Sequence, residues 1–330
     1  MTHVVGAINW DLLIQLSVTG FIGFEAMVYA MAAIGLNVHF GYTGLLNFGH
    51  VGFLAMGGYG VGISIVMWHL NPYLAIVIGI LFAVVLALLL GVPTLRLRAD
   101  YLAIVTIAAS EVIRIFARST SLRGITRGAE GLNEFAGDYY ALSPFKADRC
   151  QWGIINFPSC NQMFVTLVGW IAIALLVFLV WQLMRSPWGR VLKAIREDED
   201  AARALGKNTF WYKMQSLVLG GAIGGLAGIF QVIGKSSVQP DTFVPPITFI
   251  IWTVLILGGA GRVFSPVVGS MIFWGVINFI ETFLRQLVPS TALPIGQVRF
   301  MLVGAFLMLL MTFRPQGIFG SREEMALSAR

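Results

Sequence analysis

The sequence predicts an all-α fold, a polytopic bundle of about eight to ten membrane-spanning helices with glycine-rich broken segments. Three observations carry that prediction. Mean hydropathy is +0.81. Only 12% of the residues are charged, against the roughly 25% of a soluble domain. Apolar runs of about 20 residues, the length a helix needs to cross a hydrocarbon core, recur along the chain. The 37 glycines suit helices that approach one another closely in lipid. Residues 1–330 read as a single membrane unit rather than a set of soluble domains.

Taken in order, the candidate spans are Leu12–Leu36, Leu45–Trp68, Tyr73–Leu95, Tyr101–Ala117, Met163–Met184, Met214–Ile233, Pro246–Gly261, Pro266–Leu287 and Val298–Phe313. The first two are separated by Asn37-Val-His-Phe-Gly-Tyr-Thr-Gly44, a polar, glycine-rich break. It reads either as a surface loop or as an unwound point inside the bundle. The second is tolerated only where the chain is buried in protein or lines a cavity. The choice alters the span count and the side of the N-terminus.

Basic residues set the orientation. The segment 185–213 holds Arg185, Arg190, Lys193, Arg196, Arg203, Lys207 and Lys213; Arg96 and Arg98 fall in a second connection, Arg262 in a third, and Arg314, Arg322 and Arg330 follow the last span. Alternating the spans puts all of them on one side, which the positive-inside rule makes cytoplasmic, C-terminus included. The net charge of +6 therefore reads as topology rather than nucleic-acid binding. The connection over residues 119–161 then faces outward. It carries the only two cysteines, Cys150 and Cys160, and an oxidising exterior permits a disulfide there; two free thiols are the alternative. Near Met1 neither a basic stretch nor a small-residue cleavage site stands out, so no cleavable signal peptide is expected.

The 185–213 segment is a charged stretch between two apolar runs. Within it, Glu197, Asp198 and Asp200 put acid near a helix start, where the dipole favours it. Ala201 and Ala202 are small enough for a partner to come close. Leu205 precedes Gly206, which suits a left-handed helix stop.

Several motifs share one resemblance. Asp200-Ala-Ala with Gly206 four residues on is similar to the docking loop of ABC importer permeases, with Asp in place of the usual Glu. Gly41-Tyr-Thr-Gly-Leu-Leu-Asn-Phe-Gly-His50 resembles the signature of branched-chain amino acid ABC permeases. Leu95-Arg-Leu-Arg-Ala-Asp-Tyr-Leu-Ala-Ile-Val-Thr106 with Glu111-Val-Ile-Arg114, and Gly124-Ile-Thr-Arg-Gly-Ala-Glu-Gly-Leu132, are similar to the LivM subunit type, although Arg127 stands where that family has a Gly-Gly or Gly-Ser run. Leu257-Gly-Gly-Ala-Gly-Arg262 and the ending Phe313-Arg-Pro-Gln-Gly317 match as well. The resemblance spans about Gly35 to Gly320. It implies a permease subunit in a bacterial inner membrane, importing branched-chain or related amino acids. Its partners would be a LivH-like permease, two cytoplasmic ATPase subunits and an external substrate-binding protein. Residues Glu197, Asp198, Asp200, Ala201, Ala202, Leu205 and Gly206 would then face the ATPase. Urea-type permeases share much of the pattern, and a secondary transporter without ATPases is a further alternative. The chain shows no Gly-x-x-x-x-Gly-Lys-Ser/Thr phosphate loop. No cofactor, metal cluster or nucleophile–base pattern is evident, so no enzyme is expected.

Polar residues within spans are the candidates for a translocation path, because such groups are costly in lipid and face the bundle interior. They are Asn37, His39, Thr43, Asn47 and His50 around the break, with Glu111 and Arg114, which fall three apart and can pair with each other. For the histidines the plainer reading is a hydrogen-bonding anchor. Glu25 has no local partner in the sequence, and Glu281 can reach Arg285. Phe48, Phe53, Leu54 and Met56 are expected to offer apolar walls. Gly41, Gly44, Val51 and Gly52 recur at a constant offset as Gly258, Gly261, Val268 and Gly269. That echo reads equally as a repeat or as coincidence.

Overall fold

The computed structural model describes residues 9–95, 99–145, 150–152, 155–287, 295–313 and 317–319. The expected topology charges Arg96, Arg98, Arg314, Arg322 and Arg330 lie outside these. Helix α1 (Trp10–Ile22) and α2 (Phe24–Asn37) lead into a π-helical turn, Val38–Tyr42. Then come α3 (His50–Val66), α4 (Pro72–Thr94), α5 (Ala99–Arg118), the short α6 (Arg123–Thr126), strand β1 (Leu132–Asn133) and α7 (Gly137–Ala141). A hairpin of β2 (Cys150–Trp152) and β3 (Ile155–Phe157) precedes α8 (Cys160–Arg185). Helices α9 (Pro187–Glu197), α10 (Glu199–Ala204) and α11 (Thr209–Lys235), strand β4 (Ser237–Val238), α12 (Pro246–Gly258), α13 (Ser265–Leu287) and α14 (Ile295–Phe313) complete the chain.

Among the described residues, six helical runs are long and apolar enough to cross a membrane: Trp10–Tyr42, Pro72–Thr94, Cys160–Arg185, Thr209–Lys235, Pro240–Gly258 and Ser265–Gln286; α3 is apolar but shorter. The protein is a multi-pass helical membrane bundle. Several long helices start where the sequence supplies a cap. Asn71, Ser159 and Asn208 accept hydrogen bonds from the backbone N–H of Tyr73, Gln162 and Trp211 at 3.0, 3.1 and 3.3 Å, satisfying donors that the helix leaves free.

Of the nine expected spans, Tyr101–Ala117 and Val298–Phe313 fall on α5 and α14, which are not among these six runs, and the first two differ in backbone course. The run Leu12–Leu36 is two helices meeting at Gly23, where a Cβ would overlap the Thr19 carbonyl. Glu25, just past that joint, finds its partner on a neighbouring helix: Lys235, at the end of α11, lies 3.1 Å away. The second span starts at His50 instead of Leu45, because Leu45–Gly49 is unwound. This resolves the two readings of the break. It is no surface loop: Asn37, Val38, His39, Gly41, Tyr42, Thr43, Leu45, Asn47 and Gly49 are all buried.

The break is buried by α11, which carries a ridge of glycines. Added Cβ atoms at Gly220 or Gly224 would run into the His39 or His50 ring, and at Gly225 or Gly228 into Ala83 or the Leu54 backbone. Small residues let helices pack backbone to backbone, where dispersion and polar contacts replace the missing hydrophobic drive. Phe53 and Leu54 are packed in this core, fully buried, and so do not wall an open path in this conformation. Phe48 and Met56 are partly buried.

The bundle has two distinct ends. At one, α9 and the turn after α12 both meet the break, through Arg196 and Arg262. At the other, β1 pairs antiparallel with β4 (Leu132 opposite Val238, Asn133 opposite Ser237), tying the 119–161 connection to the end of α11. The Tyr139 and Tyr140 hydroxyls donate to the carbonyls of Pro72 and Ile233 at 2.6 and 2.5 Å. Cys150 and Cys160 form a disulfide, with Cα atoms 4.9 Å apart.

Candidate functional site

An unwound backbone inside a bundle must find partners for its N–H and C=O groups. Side chains from four elements, α5, α9, α11 and α12, supply them. Phe48 N–H donates to Thr106 Oγ1 of α5 at 3.2 Å, and Val51 N–H to Thr248 Oγ1 of α12 at 3.1 Å. Trp252 Nε1 donates to the Asn47 carbonyl at 3.0 Å. The Thr43 and Ser216 hydroxyls lie 2.6 Å apart, and both reach the Val38 carbonyl. Arg196 of α9 donates to the Gly41 carbonyl.

Of the candidate path residues near the break, His39 touches both Asn47 and His50, while Asn37 and Thr43 bond to other groups beside them. Asn37, 1% exposed, donates to the Arg262 carbonyl and accepts from Gly261 N–H, both at 2.9 Å. The His39 ring is held on both sides, with Nε2 3.1 Å from the Leu217 carbonyl and Nδ1 3.1 Å from Asn47 Nδ2. A carbonyl only accepts, so Nε2 carries the proton and Nδ1 accepts from the amide, a tautomer assigned from these partners. Asn47 Oδ1 accepts from Gly49 N–H at 3.0 Å. His50 Nε2 donates to the Ala32 carbonyl at 3.0 Å, while its buried Nδ1 has no hydrogen-bond partner among the described residues. The two imidazoles meet edge to face with centroids 5.4 Å apart, and each packs on Phe53. Beside them, Phe48 stacks on Trp252 at 4.8 Å and lies 6.0 Å from Phe249, which is exposed.

Glu111 and Arg114 lie apart from these residues. Arg114 grips Glu111 through two nitrogens, at 2.5 and 2.9 Å, and also donates to Asp241 at 3.3 Å; Arg118 reaches the same carboxylate at 3.3 Å. Asp241 follows β4, so this four-charge network ties α5 to the start of the chain leading into α12, at the end of the bundle away from Arg196. Glu281 and Arg285 pair at 2.7 Å.

The 185–213 segment is two helices. Asp198 breaks them with an extended backbone and caps the second, its Oδ1 accepting from Ala201 N–H at 2.9 Å. Glu199 and Asp200 fill the first turn of α10, and Gly206 ends it with φ +77°. Glu197, Asp198, Asp200, Ala201, Leu205 and Gly206 are exposed, while Ala202 is buried against the bundle. Leu205 is 81% exposed. Lys213 of α11 holds Glu199. Partial burial pushes the Glu199 carboxyl up, but the hydrogen bond and charge of Lys213, with Thr209 and Arg203, outweigh it and keep the group below the usual glutamate value. Between this segment and the break lies a cavity of about 170 Å³, lined by Thr43, Gly44, Arg196, Glu199 and Lys213 among others.

Thr106, Ser216, Thr248, Trp252 and Arg196 were not singled out by the sequence reading. Hydroxyls and an indole within otherwise apolar spans were the available signal for the first four. Arg196 is hidden among the basic topology residues.

A membrane bundle whose interior holds a broken, glycine-lined helix, with an exposed charged helix pair at one end, is a permease-type membrane protein. Comparison with known proteins agrees. The family described as branched-chain amino acid transport system / permease component matches residues 19–312. The chain is 29% identical over 324 residues to the "High-affinity branched-chain amino acid transport system permease protein LivM" of Escherichia coli (strain K12), covering 96% of this chain and 73% of that one. It is 26% identical over 331 residues to the "Probable branched-chain amino acid transport permease protein LivM" of Methanocaldococcus jannaschii, covering 88% and 90%. A solved structure, PsaBC from Streptococcus pneumoniae in complex with Fab, is similar at 15% identity over 95% of each chain with a TM-score of 0.41, too distant to carry an argument. This chain belongs to the branched-chain amino acid transport system permease family.

Proposed function

We propose that this chain is the LivM-like membrane subunit of an ABC importer for branched-chain or related hydrophobic amino acids. It pairs with a LivH-like permease, and two ATPase subunits hydrolyse ATP on the side of α9 and α10. An external binding protein delivers substrate. The observation that carries the reading is the exposed end of α10. Ala201 and Leu205 stand free beside the Gly206 turn, on a segment bonded inward to the break. An apolar knob on a small, capped helix is the shape that inserts into a groove on a partner.

In this reading residues 185–213 face the cytoplasm and residues 119–161 the outside of a bacterial inner membrane. The C-terminus is cytoplasmic. Asn37, His39, Thr43, Asn47 and His50 hold the break that opens during transport; Glu111 and Arg114, apart from the break at the outer end, meet the zwitterion as it enters. The substrate class rests on the names of the relatives. The test is uptake of labelled leucine and urea in proteoliposomes holding this chain with its partner subunits and binding protein, beside Ala201→Trp and Gly206→Glu variants. ATP-dependent leucine uptake that the variants lose supports the reading. Uptake of urea alone changes the cargo. Leucine uptake without ATP refutes an ATP-driven importer.

A further inference from the structure

The break and the 185–213 segment are far apart in sequence, yet one side chain joins them. Arg196 leaves α9 near its end, runs its Cγ along Gly44, where an added Cβ would lie 3.2 Å from it, and donates from Nη1 to the Gly41 carbonyl. That carbonyl lies in the π-helical turn, whose hydrogen-bonding pattern departs from the ordinary helix. Gly44 itself takes φ +74°, a conformation that L side chains rarely adopt. Lys193, one turn before Arg196, holds its Nζ 6.0 Å above the Tyr42 ring. Ile195 between them is buried. So α9 is anchored to the break at two successive points, while α10 beyond it is exposed.

The other side of Arg196 is open. Arg196 lines a cavity of about 170 Å³ together with Glu199, Lys213, and Thr94 and Leu95 at the end of α4. An arginine at the edge of a void has room to move with α9 without displacing packed core.

We propose that Arg196 is the positioning residue that carries movement of the α9–α10 segment to the broken helix, through its bond to the Gly41 carbonyl. This deepens the importer reading and rests on it. A planar guanidinium with several donors keeps hold of a carbonyl as the helix tilts, which a single-point donor does less well. When α10 is displaced by its partner, Arg196 pulls on Gly41, and the chain swivels about the φ +74° link at Gly44.

The experiment measures labelled leucine taken up per ATP hydrolysed in the complete reconstituted assembly, for the native chain and for Arg196→Met, Arg196→Gln and Arg196→Lys. Arg196→Met and Arg196→Gln keep much of the volume but fall short of the donor reach. Both are expected to copurify with the ATPase subunits and to hydrolyse ATP, while uptake per ATP falls about tenfold, the size set by losing a hydrogen bond from a charged donor. Arg196→Lys, whose ammonium still reaches a carbonyl, recovers part of that ratio. A native ratio in either Met or Gln variant overturns the proposal, as does a Lys variant no better than Met. Whichever of the two neutral variants assembles decides the matter. If the native assembly shows no ATP-dependent uptake, the importer reading fails instead, and the two failures are told apart.

Discussion

The side-chain amide of Asn37 accepts a hydrogen bond from Gly261 N–H at 2.9 Å while donating to the neighbouring Arg262 carbonyl at the same distance. One residue at the end of α2 thereby fixes the turn that ends α12, and it does so beside the break that follows α2 itself. Two irregular stretches of backbone share one buried amide. Asn37→Ala leaves both backbone groups without it and is expected to destabilise the bundle by about 1–3 kcal/mol. Asn37→Asp keeps the acceptor but faces the Arg262 carbonyl with a second oxygen, so it is destabilising too. Thermal unfolding in detergent reads both; an unchanged transition contradicts the clamp.

The glycine ridge on α11 gives a sharper contrast. Gly220→Ala drives a methyl into the His39 ring and the Gly35 carbonyl. Backbone there cannot yield without separating α2 from α11, so folded yield and unfolding temperature fall. Gly304→Ala, on α14, meets nothing within 4 Å. That change removes unfolded-state freedom and is expected to be neutral or stabilising by up to about 1 kcal/mol. Equal effects of the two substitutions on unfolding temperature contradict the packing account.

Glu199 makes the α10 junction acid-sensitive. Its folded carboxyl sits below the ordinary value of 4.5 because Lys213, Thr209 and Arg203 outweigh desolvation. A depressed carboxyl contributes stability that is complete above the unfolded pKa and is lost as pH falls through the folded one. Amide exchange along α10 should therefore be flat through neutral pH and rise below about pH 4.5. Glu199→Gln should exchange faster at neutral pH and lose that acid step. A step of the same size in the variant contradicts the assignment to this pair.

The disulfide reports orientation. Cys150 and Cys160 are the only cysteines, and they are bonded to each other. Intact cells treated with a membrane-impermeant maleimide should show no labelling of this chain until an impermeant reductant has been added. Labelling without reduction contradicts the pairing. Labelling only after the membrane is opened contradicts the outward assignment of residues 119–161.

Much of this fold was legible in the sequence because long apolar runs bounded by caps admit one reading. Helices α4, α8 and α11 lie where hydropathy puts them. The start of α3 was not legible. Leu45, Leu46 and Phe48 are apolar, and hydropathy measures burial rather than backbone conformation, so an unwound buried stretch looks like helix. The charged segment showed its Gly206 stop, which the φ of +77° bears out, and the acids Asp198 and Asp200 at the start of α10, whereas Glu197, expected at that start, ends α9 instead. The break at Asp198 follows from a side chain that caps the next helix in preference to continuing the last. The glycine echo has a counterpart in backbone angles: Gly44 and Gly261, matched by the constant offset, take φ +74° and +86°. The polar residues around the break were legible as polar groups among apolar ones, yet Arg196 was not, since its partner Gly41 is distant in sequence. Glu111 and Arg114 are candidates for the same reason as His39, and the fold places them apart from the residues around the break, paired with each other.

The central claim is that the exposed end of α10 meets an ATPase subunit. A photo-crosslinking amino acid placed at Leu205, 81% exposed, tests it in the assembled complex in native membranes, with the same probe at Ile125, exposed on α6 at the other end, as control. The account predicts a Leu205 crosslink to the ATPase subunit and none from Ile125. An ATPase crosslink from Ile125, or from neither position in an assembly that contains the ATPase, would contradict it.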